Sequence, residues 1–435
     1  MTKSSDYVLQ KLITLCVIAF FCQSVLAQES QAPAEHGTQS GYDDIIEFGG
    51  PESVGTRLKE NDAERGSMYQ FDTLQRTLGP YFDWKRGLND EHGLSFGTSL
   101  YFLYQNASGS LGSDDDALGG IFRYQGAWSL FNRGANNPGR INWRLESRFD
   151  VGGFQSPSQL SSDIGVGPLN SGFAYSHNFD LDLALINWSQ NFNEQRAGYA
   201  IGRLGFDVYL DAFPFQTFSK GFINRAFILN PTMAATGIGA LGAVVKGFVT
   251  DNIWLGAQMH DANAASGSFN FNTVQKGEWL KGVEIGWTPA FSRYKTDRIQ
   301  FTYWEKDART LAGTSKGSGW VVSAAYQYSD ILFPFVRFGH SDGGGGAPAE
   351  TAVSAGVQIT RQMDQIWSIG AGWAKPSDET YGPGVDDEVV LETSYMFQLS
   401  KNFSLTPDVQ LVFNPANNPG ESVVSVFSLR VILTL

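Results

Sequence analysis

Arg144, Glu146 and Arg148 stand two residues apart, interleaved with Ile141, Trp143, Leu145 and Phe149. A period of two puts the charges on one face of a strand and the apolar side chains on the other. Arginine offers a planar fork of donors and glutamate only acceptors, so the trio could bind sugar hydroxyls or bias the passage of ions. It could equally be an ion ladder that stiffens a wall. Arg203, Lys246, Arg337, Glu392, Asp408 and Gln410 fall at matching positions of other alternating stretches and share both readings. On such a face the side chains would stand in water, and substituting them would cost little stability.

The elements that must position these residues are strands. An ordinary sandwich would leave the charged face of Arg140–Asp150 in bulk solvent, whereas a closed barrel puts it against water inside the wall. The stretch Asp387–Leu435 carries the pattern furthest. Val389, Leu391, Tyr395 and Phe397 alternate with Val390, Glu392, Ser394 and Met396. Phe403, Leu405, Val409 and Leu411 then alternate with Ser404, Thr406, Asp408 and Gln410, and Phe427, Leu429, Val431 and Leu433 with Ser428, Arg430 and Ile432. About 16 such stretches follow one another from Leu94, an even number as single-chain bacterial barrels have. The predicted fold is an all-β transmembrane antiparallel barrel.

Break lengths sort by parity. Asn132–Gly139, Asn191–Arg196, Thr250-Asp251, Gln362-Met363 and Ser400-Lys401 are short, and each follows an even-numbered strand. Val151–Phe179, Phe206–Ile238 and Asn263–Trp279 are longer, and each follows an odd-numbered one. Short periplasmic turns and long external loops produce that pattern.

Composition agrees. The 435 residues include 49 glycines, 14% aromatic and only 17% charged residues, against about 25% charged in soluble domains. The formal net charge of −13 argues against nucleic acid, whose phosphates need a basic face. Lys3 and Lys11 flank the apolar run Leu12–Phe21, and Val25-Leu26-Ala27 offers small residues for cleavage, so residues 1–27 read as a secretory signal. Both cysteines, Cys16 and Cys22, lie in it. Residues 28–93 read as a periplasmic lead-in, irregular to about Arg65, with short helices at Met68–Leu78 and Tyr81–Asp90. Residues 94–435 form the barrel domain.

The other candidates are weaker. Phe213, Phe215, Phe218 and Phe222 could fold inward with the loop Phe206–Ile238 and stack on sugar rings, but packing on the barrel rim is the simpler expectation. Asp114–Asp116 reads as a solvated loop rather than a cation site. Trp128, Trp143, Trp320, Trp367 and Trp373 suit an interfacial girdle. His36, His92, His177, His260 and His340 show no metal-ligand spacing, and no phosphate loop or zinc motif occurs. No catalytic residue, metal or cofactor is expected.

Several stretches resemble the carbohydrate-selective outer-membrane porins of the OprB type. Glu392, Tyr395 and Gln398 lead into Leu405-Thr406-Pro407-Asp408-Val409-Gln410 and Asn414-Pro415. Pro334-Phe335-Val336-Arg337, Phe227 to Asn230-Pro231, Asp261-Ala262-Asn263 and Trp84–Leu94 are similar too. The resemblance covers roughly Tyr81 to Leu435. It implies a 16-stranded barrel in the bacterial outer membrane that passes sugars by facilitated diffusion. Leu435 departs from the Phe or Trp that usually ends such barrels, which weakens the signal read by the barrel-assembly machinery. The expected partners are small sugars or other hydrophilic solutes and outer-membrane lipid, with the chain a monomer or a homotrimer. An alternative is a less selective or anion-preferring porin using the same inward arginines.

Overall fold

Alternation decides the architecture residue by residue. In the computed structural model, which describes residues 48–435 apart from 64, 70–71, 134, 136, 177–178, 235–237 and 265–270, each predicted stretch is a strand. In order they are β1 (Leu94–Ala107), β2 (Asp116–Phe131), β3 (Gly139–Asp150), β4 (Phe179–Phe192), β5 (Ala197–Leu204), β6 (Ala240–Phe248), β7 (Ile253–Asp261) and β8 (Trp279–Trp287). The second half is β9 (Arg298–Lys306), β10 (Gly317–Ala325), β11 (Leu332–Ser341), β12 (Ala349–Thr360), β13 (Ile366–Pro376), β14 (Glu388–Ser400), β15 (Phe403–Phe413) and β16 (Val423–Thr434). Every strand pairs antiparallel with its neighbours, and β1 pairs with β16 from Ser99↔Thr434 to Ala107↔Val426, which closes the barrel.

Burial follows the same period. Along β8, Leu280, Gly282, Glu284 and Gly286 are buried while Lys281, Val283, Ile285 and Trp287 are exposed. The exposed face is the lipid face, so apolar exposure here is not a defect. Pro407 lacks an amide, and the β14–β15 ladder steps from Ser394↔Asp408 to Phe397↔Leu405 around it.

One barrel end carries the short turns, such as 401–402. The other carries the long connections 151–178 and 205–239. Both long connections fold into the barrel instead of standing above it. The inner wall is cut back to admit them: a Cβ on Gly370 would meet the rings of Phe227 and Phe222 at 2.6 and 2.9 Å. The expectation of a loop packed on the rim is thus overturned.

The lead-in is more ordered than its sequence announces. α1 (Val54–Asp62) forms where irregular chain was expected; its N-cap Ser53 makes no side-chain cap bond, so tertiary contacts rather than local signals hold it. α2 (Asp72–His92) is one helix where two were predicted, with Pro80 inside it. It lies along the short-turn end, where Trp84 meets Phe96 of β1 edge-on at 5.6 Å between ring centres. The predicted signal, residues 1–27, and His36 and His177 fall outside the described residues.

Candidate functional site

The trio read from the sequence does share one inward face. Arg123 of β2, opposite Glu146 in register, joins it. Glu146 accepts from Arg123 Nε at 2.5 Å and from Arg148 Nε at 2.7 Å. Arg144 Nε donates to Gln125 at 2.9 Å, and its Nη2 donates to the backbone carbonyl of Glu52 at 2.7 Å. The Glu52 carboxylate accepts from Arg123 Nη1 at 2.5 Å. Arg123 also lies over the Phe218 ring at 4.9 Å. Burial alone would raise the Glu52 carboxyl, but Arg123, Arg57 and Arg144 outweigh it and hold the group down at about 2.

These side chains do not stand in water. Glu146 is 0% exposed and Arg144 3%. The correction has a physical cause: the inner wall at these positions is covered by the lead-in and the folded-in loops, Glu52 meeting Arg123 and Arg144 and the Ala174 carbonyl meeting Arg148. Charges on the face are therefore paired and hydrogen-bonded, as buried charges must be.

The other candidates split between three further groups. Lys246 of β6 pairs with Glu284 at 2.6 Å and donates to the Tyr209 carbonyl. Arg337 of β11 pairs with Asp211, and donates to Ser323 Oγ at 3.0 Å. Glu392 accepts from the amides of Ile223 at 2.5 Å and Asn224 at 3.0 Å. Gln410 donates to Asp408 at 3.1 Å and accepts from Asn224 at 3.0 Å. Arg430 donates to the carbonyls of Gly221 at 2.8 Å and Phe222 at 3.2 Å. Arg203 lies apart, on Asp182 at 2.8 Å.

The loop aromatics are committed to packing. Phe213, Phe215 and Phe222 are buried with Phe227 and Phe335 in one apolar cluster, with centroids of Phe215 and Phe335 4.5 Å apart. Each such ring contributes about 1.5–3 kcal/mol by burial, so the cluster anchors the loop. Asp114 and Asp115 are exposed, as a solvated loop would be.

The family model described as carbohydrate-selective porin, OprB family, matches residues 335–435, which run from β11 to β16. Among solved structures, the high-pH structure of Pseudomonas putida OprB is similar with a TM-score of 0.68 at 13% identity, covering 86% of this chain and 99% of that one. The chain shares that structure's barrel fold, and its C-terminal part, residues 335–435, matches the OprB family model. The low-pH structure of the same P. putida protein aligns with a TM-score of 0.49 at 12% identity, covering 86% of this chain and 100% of that one. A comparison with curated proteins found no match.

Sequence reasoning found much of the barrel's wall chemistry but not what meets it. Arg123 was legible, since it sits between Phe122 and Tyr124 at inward parity. Glu52, Arg57 and Asp211 were not, because they lie in short helices and loops without periodicity. Trp254 and Trp304 also face inward, 0% exposed, against the tryptophan rule of outward girdles. Each covers a glycine of a neighbouring strand, Gly286 and Gly319, the device by which an aromatic ring fills the gap a strand glycine leaves.

Proposed function

We propose that the chain is a porin of the OprB type, which passes small neutral sugars by diffusion past the arginine cluster. Charge compensation in that cluster carries the reading. Arg123, Arg144 and Arg148 face Glu146 and Glu52, so the site presents donors and acceptors without a strong net field. A hydroxylated solute uses both kinds of group, whereas an anion finds its arginines already taken. Tyr175 Oη, Gln105 Oε1 and Arg430 Nε are buried without a protein hydrogen-bond partner. Such groups call for ordered water. The charge compensation weighs against the anion-preferring alternative.

The long-loop end would face outward and the lead-in the periplasm. The barrel-assembly machinery would insert the chain, as a monomer or a homotrimer, and no reaction is assigned to it. Liposome swelling tests the reading: a neutral hexose should enter several-fold faster than its uronic acid and its amino sugar. Equal rates for the three, at low salt, would sink it.

A further inference from the structure

One carboxylate in the arginine cluster does not belong to the barrel. Glu52 arrives on residues 48–62, which enter from the short-turn end between the wall and the folded-in loop. Its Oε2 meets Arg123 at 2.5 Å, while Oε1 accepts from Thr217 Oγ1 at 2.8 Å and from the Phe218 amide at 3.2 Å. A single side chain thus joins a strand, the loop and the lead-in.

The segment around it is built to stay. Val54 and Leu58 pack with Ala127, Ala184 and Leu185. Asn61 donates to Ser99 Oγ at 3.1 Å, and Gly50 N donates to the Val208 carbonyl at 2.7 Å. Phe48 packs edge-on against Tyr294 near the short turns. Arg57 pairs with Glu60 of its own helix at 2.7 Å, and Glu60 is shared with Lys220 at 3.2 Å. Glu52 is the negative charge of the segment that is hydrogen-bonded to the cluster, through Arg123. On the wall, Arg123, Arg144 and Arg148 stand against Glu146, an excess of positive charge that Glu52 reduces.

We propose that Glu52 is a specificity-determining residue of the pore: a built-in anion, carried by the lead-in, that occupies Arg123 and so keeps anionic solutes out of the arginine cluster. The pore's charge preference is then set by an element that is not part of its wall. This rests on the diffusion route proposed above.

The test is the reversal potential of single channels in a KCl gradient at low ionic strength, where screening is weak. Glu52→Gln keeps the size and the acceptor for Thr217 but removes the charge. Its chloride-to-potassium permeability ratio should rise at least about threefold over wild type. Glu52→Asp, which keeps the charge, should stay at the wild-type ratio. Asp62→Asn, on the same segment but paired with Lys85 outside the cluster, should also leave the ratio unchanged. An assembled Glu52→Gln channel with wild-type selectivity overturns the proposal, and so does a Glu52→Asp channel shifted as far as Glu52→Gln. If Glu52→Gln does not assemble, excision of residues 48–62 must give the same anion shift, and an assembled excision variant without it overturns the proposal equally. Failure of the wild-type channel to pass neutral sugars would instead refute the diffusion route.

Discussion

Arg337 on β11 holds Asp211 in the folded-in loop, 126 residues earlier in the chain, and both side chains are almost fully buried. Removing one partner of such a pair strands the other, at a cost of about 3–5 kcal/mol. Arg337→Met should therefore loosen the loop 205–239, raising single-channel conductance and opening the loop to proteolysis. Adding Asp211→Asn should restore much of the protection, because no charge is then left unpaired. Equal cleavage of the single and double variants would show that the pair does not hold the loop.

Arg144→Ala combined with Arg148→Ala is expected to behave differently from substitutions in a water-filled lumen. The double variant leaves Glu146 and Glu52 buried with Arg123 between them and Arg57 as the other guanidinium near Glu52. It should assemble, shift ion preference toward cations, and lose its folded migration in detergent gels at a lower temperature than wild type. Unchanged heat-modifiability would mean that water reaches the cluster freely.

Orientation can be read with single cysteines. Leu311, between β9 and β10, is 65% exposed at the long-loop end. A cysteine there should label on intact cells with an impermeant maleimide, and one at Lys401 should not. The reverse pattern would invert the topology.

Docking of the lead-in should be insensitive to moderate acid. Glu52 is held at about 2 in the folded chain, below its ordinary value of 4.5. A depressed carboxyl contributes stability that is fully present above its unfolded pKa and is lost only as pH falls through the folded one. Backbone exchange protection of residues 48–62 should thus match at pH 8 and pH 5, and fall as pH drops below about 4.5 toward 2. Loss of protection between pH 8 and pH 5 would contradict the assigned pairing.

The barrel was legible because a strand with lipid outside and polar groups inside must alternate, and any slip would turn charges such as Arg144 into lipid. The first strand begins at Leu94 as read, and the stretch read as Arg140–Asp150 is β3, Gly139–Asp150. The interior was legible only by halves. Periodicity says that Glu392 and Arg430 point inward, but not that the amides of Ile223 and Asn224 and the carbonyl of Gly221 will meet them. Those partners sit in loops, whose backbone groups carry no residue-type signal. For the same reason α1 was missed: it has no side-chain cap, and Arg57 inside it looks like any surface arginine until Ser219 and Tyr101 are found beside it.

The seam between β1 and β16 bears on the order of biogenesis. Residues 99 and 434 are neighbours in space, so the wall cannot shut until nearly the whole chain is available. Behind that seam lie contacts of the lead-in and of the connection 205–239, Glu52 with Arg123 and the Phe222 carbonyl with Arg430. The first three strands carry α1 and the arginine cluster between them and form early in chain order. Closure at the β1–β16 seam therefore comes late in chain order, after the first three strands that carry the arginine cluster.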